Sequence, residues 1–335
     1  MSNKFALAFL TLGCLSASAA EPALQRFAFT QPSMGTTFRV VLFAPDQAAA
    51  TAAAQAAFDR IDQLDTMFTD YDDNSELMKL CAKAGGEPVK VSEELFDILS
   101  KCVEANQRTR GGFDCTVGPV VRLWRQARKD GVPPDAAALA KAKELVGTDK
   151  MVLNAKEHTV QLLKAGMKLD LGGIGKGYAV DQALNVLKKK GFPIALVAGG
   201  GDIGMNDPPP EKEGWTVEIL PLDKTKTQPT RLLLKHAGVS TSGDEEQYLE
   251  TKNGKRYSHI VDPKTGQALE GRSSVTVVAP NCTTSDGLSK VTVLGVQGAI
   301  EAIDEIPGAA VLFVIEEKDG IKEHASKAWK DVPKK

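Results

Sequence analysis

The chain has 335 residues, a formal net charge of -2, 42% hydrophobic residues and 25% charged ones. That balance describes a globular protein with a substantial core, organised in one domain or two. Charge this close to neutral argues against a dedicated nucleic-acid binder, and 6% aromatic residues leave few platforms for stacking bases.

Met1 to Ala20 reads as a signal peptide. Lys4 supplies the positive start, Phe5 to Leu15 a short apolar stretch, and Ala17-Ser18-Ala19 a small-residue cleavage site. The apolar run is too short to span a bilayer as a helix, and no later stretch is a convincing span. The mature protein is therefore expected to be exported, to the periplasm or to the periplasmic side of the inner membrane. Gly13-Cys14 offers an acylation site and hence a membrane anchor, although Thr11 and Leu12 fit the recognition box poorly. The remaining cysteines, Cys81, Cys102, Cys115 and Cys282, form no metal-ligand spacing. Cys81 and Cys102 are a candidate disulfide in an oxidising compartment, and buried thiols are the default.

Thr36 to Ala44, TTFRVVLFA, predicts a strand. An Ala-rich helix follows to about Phe68, with Asp46 as its N-cap. A second helix is expected from about Ser92 to Thr109, and its Glu93-Glu94 start suits the helix dipole. Pro133-Pro134-Asp135 opens a third, and a fourth runs from Tyr178 to Lys190. Further strands are expected at Ile194 to Ala198, Trp215 to Leu222, Thr230 to Leu234, Ser274 to Ala279 and Ala309 to Ile315. Helices and strands mix without strict βαβ alternation, which favours an α+β fold over a doubly wound sheet. One compact domain over 27–317 is the economical reading. Lys318 to Lys335 reads as a solvated tail or weak terminal helix.

Three glycine-rich segments and one histidine segment carry the chemistry. In LDLGGIGKGYAVD, Leu169 to Asp181, a strand ends in Asp170 and glycines expose backbone amides ahead of a helix, with Lys176 close by. Bare amides, a helix N-terminus and a cation are how a pyrophosphate is cradled. The spacing matches neither Walker A nor GxGxxG, and a tight strand-to-helix turn accounts for it equally well. GGFDCTVGPVVRLW, Gly111 to Trp124, offers Phe113 and Asp114 to a heteroaromatic ligand, and Val117-Gly118-Pro119 reads as a change of chain direction. ALVAGGGDIG, Ala195 to Gly204, runs an apolar strand into three glycines and Asp202, which backbone packing explains as well as ligand contact does. Finally, RYSHIVDPKTG, Arg256 to Gly266, sets one of four histidines, His259, near a strand end before a Pro-Lys-Thr-Gly turn. Histidine is the side chain that moves protons most readily near neutral pH.

Taken in order, MGTTF (Met34 to Phe38), YDDNSEL (Tyr71 to Leu77), GGFDCTVGP, DLGGIGKGYAVD, STSGD (Ser240 to Asp244), SHIVDPKTG and TSDGLS (Thr284 to Ser289) resemble the ApbE family of FAD:protein FMN transferases. The resemblance covers nearly the whole mature chain. It implies a single α+β domain over 27–317, with mixed or antiparallel sheets flanked by helices and a central FAD cleft. Members are typically exported. They split the FAD pyrophosphate, attach FMN through its phosphate to a Thr or Ser hydroxyl of an acceptor flavoprotein, and release AMP. Respiratory sodium-pump and electron-transfer subunits are the acceptors the family suggests. By the same resemblance Met34, Tyr71, Gly112, Phe113, Asp114, Asp170, Lys176 and Val261 contact FAD. His259 acts as general base or as orienter of the acceptor, and Asp286 joins the catalytic set.

The resemblance also implies Mg²⁺ bound by the carbonyl of Gly173, by Asp286 and by a threonine four residues later. Here that third position is Lys290. An ammonium has no acceptor lone pair and cannot coordinate a metal. Either Lys290 replaces part of the metal's charge and pairs with Asp286, or it snorkels to solvent and the metal keeps Gly173, Asp286, the phosphates and water. The first outcome admits two alternatives to transfer: an FAD-binding carrier, or an FAD pyrophosphatase yielding FMN and AMP. Ser289, three residues after Asp286, superficially looks like a flavin acceptor, but it coincides with the metal turn.

Overall fold

Eight strands pair antiparallel in the order in which the chain makes them: Gln25–Ser33, Thr36–Ala44, Ala195–Gly199, Asp202–Met205, Ala237–Gly243, Ser273–Ala279, Ala310–Glu317 and Gly320–Ala325. This computed structural model describes residues 23–222, 228–243, 248–251 and 254–335. The signal segment with Cys14, and Asp244 of STSGD, lie outside the described residues. Period-two alternation sorts side chains to the two faces of the sheet. Val40 and Leu42 join the main core, whereas Val41 between them faces a second core with Trp215, Leu232, Val239 and Trp329.

Helix Gln47–Phe68 closes the main core. Its buried positions Ala50, Ala53, Ala54, Ala57, Phe58, Ile61, Leu64 and Phe68 follow the three-and-four spacing of one helical face. Asp46 caps it, accepting from the Ala49 amide at 2.8 Å. The small alanines bring it close to helix Gly175–Lys189, which also packs on Ala195–Gly199 and Asp202–Met205.

A smaller core holds a separate three-stranded sheet, Tyr248–Glu250, Arg256–Val261 and Ala268–Glu270, against helix Gly118–Asp130. Pro119, which reads in sequence as a change of direction, is the start of that helix. Proline is favoured there because the first helical N–H groups have no intrahelical acceptor. The helix Nε1–H of Trp124 donates to the Gly266 carbonyl at 2.9 Å, tying the Pro-Lys-Thr-Gly turn to the helix. All four described cysteines are buried free thiols, so the expected candidate pair Cys81 and Cys102 is unbonded.

The mixture of helices with antiparallel sheets is the expected α+β class. The C-terminal expectation is corrected. Lys318 to Lys335 is not a solvated tail: Gly320–Ala325 pairs with Ala310–Glu317 over six registered positions, and a short 3-10 helix, Lys327–Asp331, follows. Beyond it Trp329 and Val332 are buried in the second core. The lysines had masked two widely spaced apolar anchors. Trp329→Ala should lower stability by about 3 kcal/mol, the usual cost of emptying a large aromatic site. Equilibrium urea unfolding measures it, and a change under about 0.5 kcal/mol would restore the tail reading.

Candidate active site

Glycine-rich turns converge at one end of the main sheet. The Gly200-Gly201 hairpin, with φ of +60° and +93°, returns the chain so that Asp202 is buried beside Lys176. Lys176 Nζ lies 3.2 Å from Asp202 Oδ2 and 4.0 Å from Asp286 Oδ2, and it donates to the Gly172 carbonyl at 3.3 Å. A Cβ at Gly200 would stand 3.1 Å from Lys176 Cε and 3.2 Å from Thr36 Cγ2. The lysine stem is thus next to the Met34-Gly35 hairpin tip. Met34 itself adopts φ +50°, and its amide donates to Asp65 Oδ2 at 2.9 Å.

Gly173 brings a second group of predicted residues together. The position of its missing Cβ is 3.1 Å from Lys290 Cε and 3.2 Å from the Phe113 ring. The position of the missing Cβ of Gly112 is equally close to the Lys290 carbonyl, at 3.1 Å. Phe113 is buried in the main core, and Asp114 accepts from the Thr116 amide and hydroxyl and from the Thr148 amide. Asp170 is bound by Arg125 at 2.8 Å and by the Gly172 amide at 2.8 Å. Arg125 also pairs with Asp70 and lies over the ring of Tyr71, 4.7 Å from its centroid. Tyr71 is 80% exposed, leaving one ring face available.

His259 and Val261 sit on strand Arg256–Val261, which packs against Ser289–Leu294, the segment that carries Lys290. His259 is half-buried and Val261 buried. Asp262 is a turn residue: its carboxylate accepts from the Lys264 amide and the Thr265 hydroxyl. Lys264 Cε comes within 3.1 Å of the Cβ position of Gly111. Between these turns opens a cavity of about 430 Å³, lined by Gly111, Asp114, Thr148, Pro263 and Lys264 among others. A larger cavity, about 680 Å³, borders Tyr178, Asp181 and Asn185 on the far face of helix Gly175–Lys189 and holds none of the predicted site residues. We take the smaller one as part of the site, because Asp114, an expected FAD contact, lines it.

The electrostatics centre on two carboxyls and two ammoniums. Burial would raise Asp286, but Lys176 and Lys290 outweigh it and hold the group below its ordinary value. Asp202 goes the other way: burial and the neighbouring Asp286 push it up to about 6. Burial would lower Lys176, yet the two aspartates raise it, so it stays charged at neutral pH.

A family model described as the ApbE family matches residues 34–313. The chain belongs to the ApbE family. An FAD:protein FMN transferase of Klebsiella pneumoniae (strain 342) is 33% identical over 324 residues, 93% of this chain and 91% of that protein. One from Salmonella typhimurium is 32% identical and covers 97% of this chain and 95% of the relative. The solved flavin transferase ApbE of Vibrio cholerae is similar with a TM-score of 0.83 at 26% identity, over 92% of this chain and 100% of that one. The Thermotoga maritima ApbE protein gives 0.83 at 28% identity, over 93% and 100%.

In this ApbE-family chain the residues expected to hold Mg²⁺ do not fit the ion. Lys290 does not snorkel: its side chain is 15% exposed, and its Nζ lies 3.2 Å from Asp286 Oδ1. The other carboxylate oxygen accepts from the Gly177 amide at 3.1 Å. Mg²⁺ demands a near-octahedral set of free oxygen donors, and an ammonium already stands among these. Among the described residues no group of three His, Cys, Asp or Glu could hold a metal.

In the sequence Asp202 is undecided, Ser242 stands only as part of STSGD, and Arg125 and Asp70 carry no mark. The glycine run before Asp202 was its available signal. Arg125 and Asp70 gave none, being joined only by folding.

A carboxyl raised in the folded state contributes stability fully below its unfolded value, 3.8, and loses it as pH rises through about 6. Asp202→Asn cannot ionise. Relative to the unmodified chain it should gain on the order of 1 kcal/mol between about pH 5 and about pH 7.5. Unfolding curves at both pH values measure this, and an offset that does not change with pH would contradict a raised Asp202.

Proposed function

We propose that this chain transfers FMN from FAD to a Thr or Ser hydroxyl of an acceptor flavoprotein, forming a phosphoester and releasing AMP. Similarity along nearly the whole chain to proteins named FAD:protein FMN transferase carries the reading. The convergence of glycine-rich turns on Lys176 supports it, since phosphoryl transfer asks for positioning and charge neutralisation above all.

The acceptor oxygen attacks the phosphorus of the FMN half. The bond from that phosphorus to the bridging oxygen breaks, and AMP departs with the oxygen and its electron pair. The hydroxyl proton passes to a base. His259 is assigned as that base or as the group that orients the hydroxyl. Lys176 and the turn at Gly173 are assigned to the pyrophosphate, at the N-terminus of helix Gly175–Lys189. The Tyr71 ring, Phe113, Asp114, Asp170, Met34 and Val261 are assigned to the rest of FAD. Asp286 enters through the two lysines it positions. We do not carry Mg²⁺ into the reading, for the misfit of the donors described above.

We also infer that the chain is exported by its N-terminal segment. The mature N-terminus, read by mass spectrometry from the native host, tests this: an intact Met1 contradicts it.

Purified protein is incubated with FAD and a candidate acceptor, and AMP, free FMN and protein-bound flavin are measured. Bound flavin and AMP in equal amounts are expected. AMP with free FMN marks a pyrophosphatase instead, and FAD binding with neither product marks a carrier. His259→Ala should slow transfer by roughly 100-fold or more while FAD affinity stays within about threefold. Transfer at the unmodified rate removes His259 from the step.

A further inference from the structure

Four oxygen acceptors surround the Lys290 ammonium. Its Nζ is 2.7 Å from Ser289 Oγ, 3.1 Å from Ser242 Oγ, 3.2 Å from Asp286 Oδ1 and 3.3 Å from the Asp286 carbonyl. This is the oxygen-rich shell of a hard cation, at distances that suit nitrogen. Ser242 and Ser289 are bound to each other at 2.8 Å, so the shell is braced across strand Ala237–Gly243 and segment Ser289–Leu294. Gly173 leaves room for the stem to pass beneath the pyrophosphate turn, with Lys290 Cε 3.1 Å from where a Cβ would be.

Charge balance gives the ammonium a function. The buried cluster contains Asp202 and Asp286 on one side and Lys176 and Lys290 on the other. With both carboxyls ionised the four groups cancel. Without Lys290 the cluster would carry one excess negative charge and would repel an incoming pyrophosphate. A metal ion would be the remedy in such a chain; here the countercharge is covalently attached. Building it in also removes a competitor, because a cation entering the shell must displace an ammonium from all its acceptors.

We propose that Lys290 is a built-in countercharge for the pyrophosphate, so that this chain binds FAD without a divalent metal. The proposal rests on the transferase reading and deepens it: the site takes the free dinucleotide and not its magnesium complex. Lys290, held in place by Asp286, acts through the field at the phosphates, alongside Lys176.

The experiment is FAD titration of the full chain, followed by flavin fluorescence and by calorimetry, with EDTA and separately with excess Mg²⁺. The expected dissociation constants agree within about twofold. Lys290→Thr should weaken FAD binding roughly 100-fold in EDTA and recover most of it when Mg²⁺ is added, the size expected for losing one member of a buried charge pair. Lys290→Arg should keep metal-independent binding within about tenfold, and thermal unfolding of each variant confirms that it is folded. A Mg²⁺ requirement in the unmodified chain overturns the proposal, a result that needs no variant. So does Lys290→Thr binding FAD in EDTA as tightly as the unmodified chain. Absence of FAD binding in either buffer overturns the underlying transferase reading instead, which separates the two failures.

Discussion

The carboxylate of Asp286 is buried where two helices and a hairpin meet, and the site is built around satisfying it. One oxygen takes the Gly177 amide at 3.1 Å and the other takes Lys290 at 3.2 Å, with Lys176 approaching from a third direction. Removing one partner of a buried charge typically costs 3–5 kcal/mol, so none of these elements can drift without a large penalty. The arrangement draws Gly-rich turns near residues 173, 177 and 200 into one place. That the result is a cluster of compensated charge, and not a hydrophobic contact, keeps the end of the sheet ready for a charged ligand.

Gly177 shows how shape and charge cooperate there. A Cβ at this position would lie 2.4 Å from the Cys282 carbonyl and 2.7 Å from Asp286 Cβ. The glycine is therefore required by helix–helix approach, independent of any ligand. One turn further on, Asp181 accepts from the amides of Cys282 and Thr283 at 2.9 and 2.7 Å, satisfying the exposed N–H groups that begin helix Cys282–Leu288. Residues 177 and 181 share a helical face by their spacing of four, so one stripe of helix Gly175–Lys189 docks the neighbour and aims its aspartate. Lys176 points elsewhere and is left for the cleft.

Periodicity made the long elements legible. The alanine spacing of Gln47–Phe68 and the apolar runs at Thr36–Ala44 and Ser273–Ala279 are local signals, and they fold as read. Strand Gln25–Ser33 was not legible because its burial is shallow and it holds a proline, which only an edge strand tolerates. Helix Gly118–Asp130 was obscured by its own starting proline. In the site, Lys176, Asp170 and Phe113 stand inside short glycine-rich words and could be found there. Asp202 and Arg125 act through partners 26 and 45 or more positions away, and no local pattern announces such pairs. Lys290 is the informative exception: the resemblance marked its position, while only the folded geometry chose pairing with Asp286 over escape to solvent.

Helix Gly118–Asp130 finally relates the two sides of the cleft. Trp124 fixes the Gly266 carbonyl and hence the turn that follows the His259 strand. Its neighbour Arg125 points about a quarter-turn around the helix and binds Asp70 and Asp170 beneath Tyr71. Two adjacent residues on one rigid element therefore set the turn after the His259 strand against Asp170 at the start of the glycine-rich turn. The apolar anchor is almost fully buried and cannot slip, while the guanidinium is held by two carboxylates at once. Phosphoryl transfer tolerates little misplacement between nucleophile and phosphorus, since alignment itself supplies much of the rate. A helix with a buried tryptophan on one side and a doubly paired arginine on the next is a direct physical means of holding that alignment.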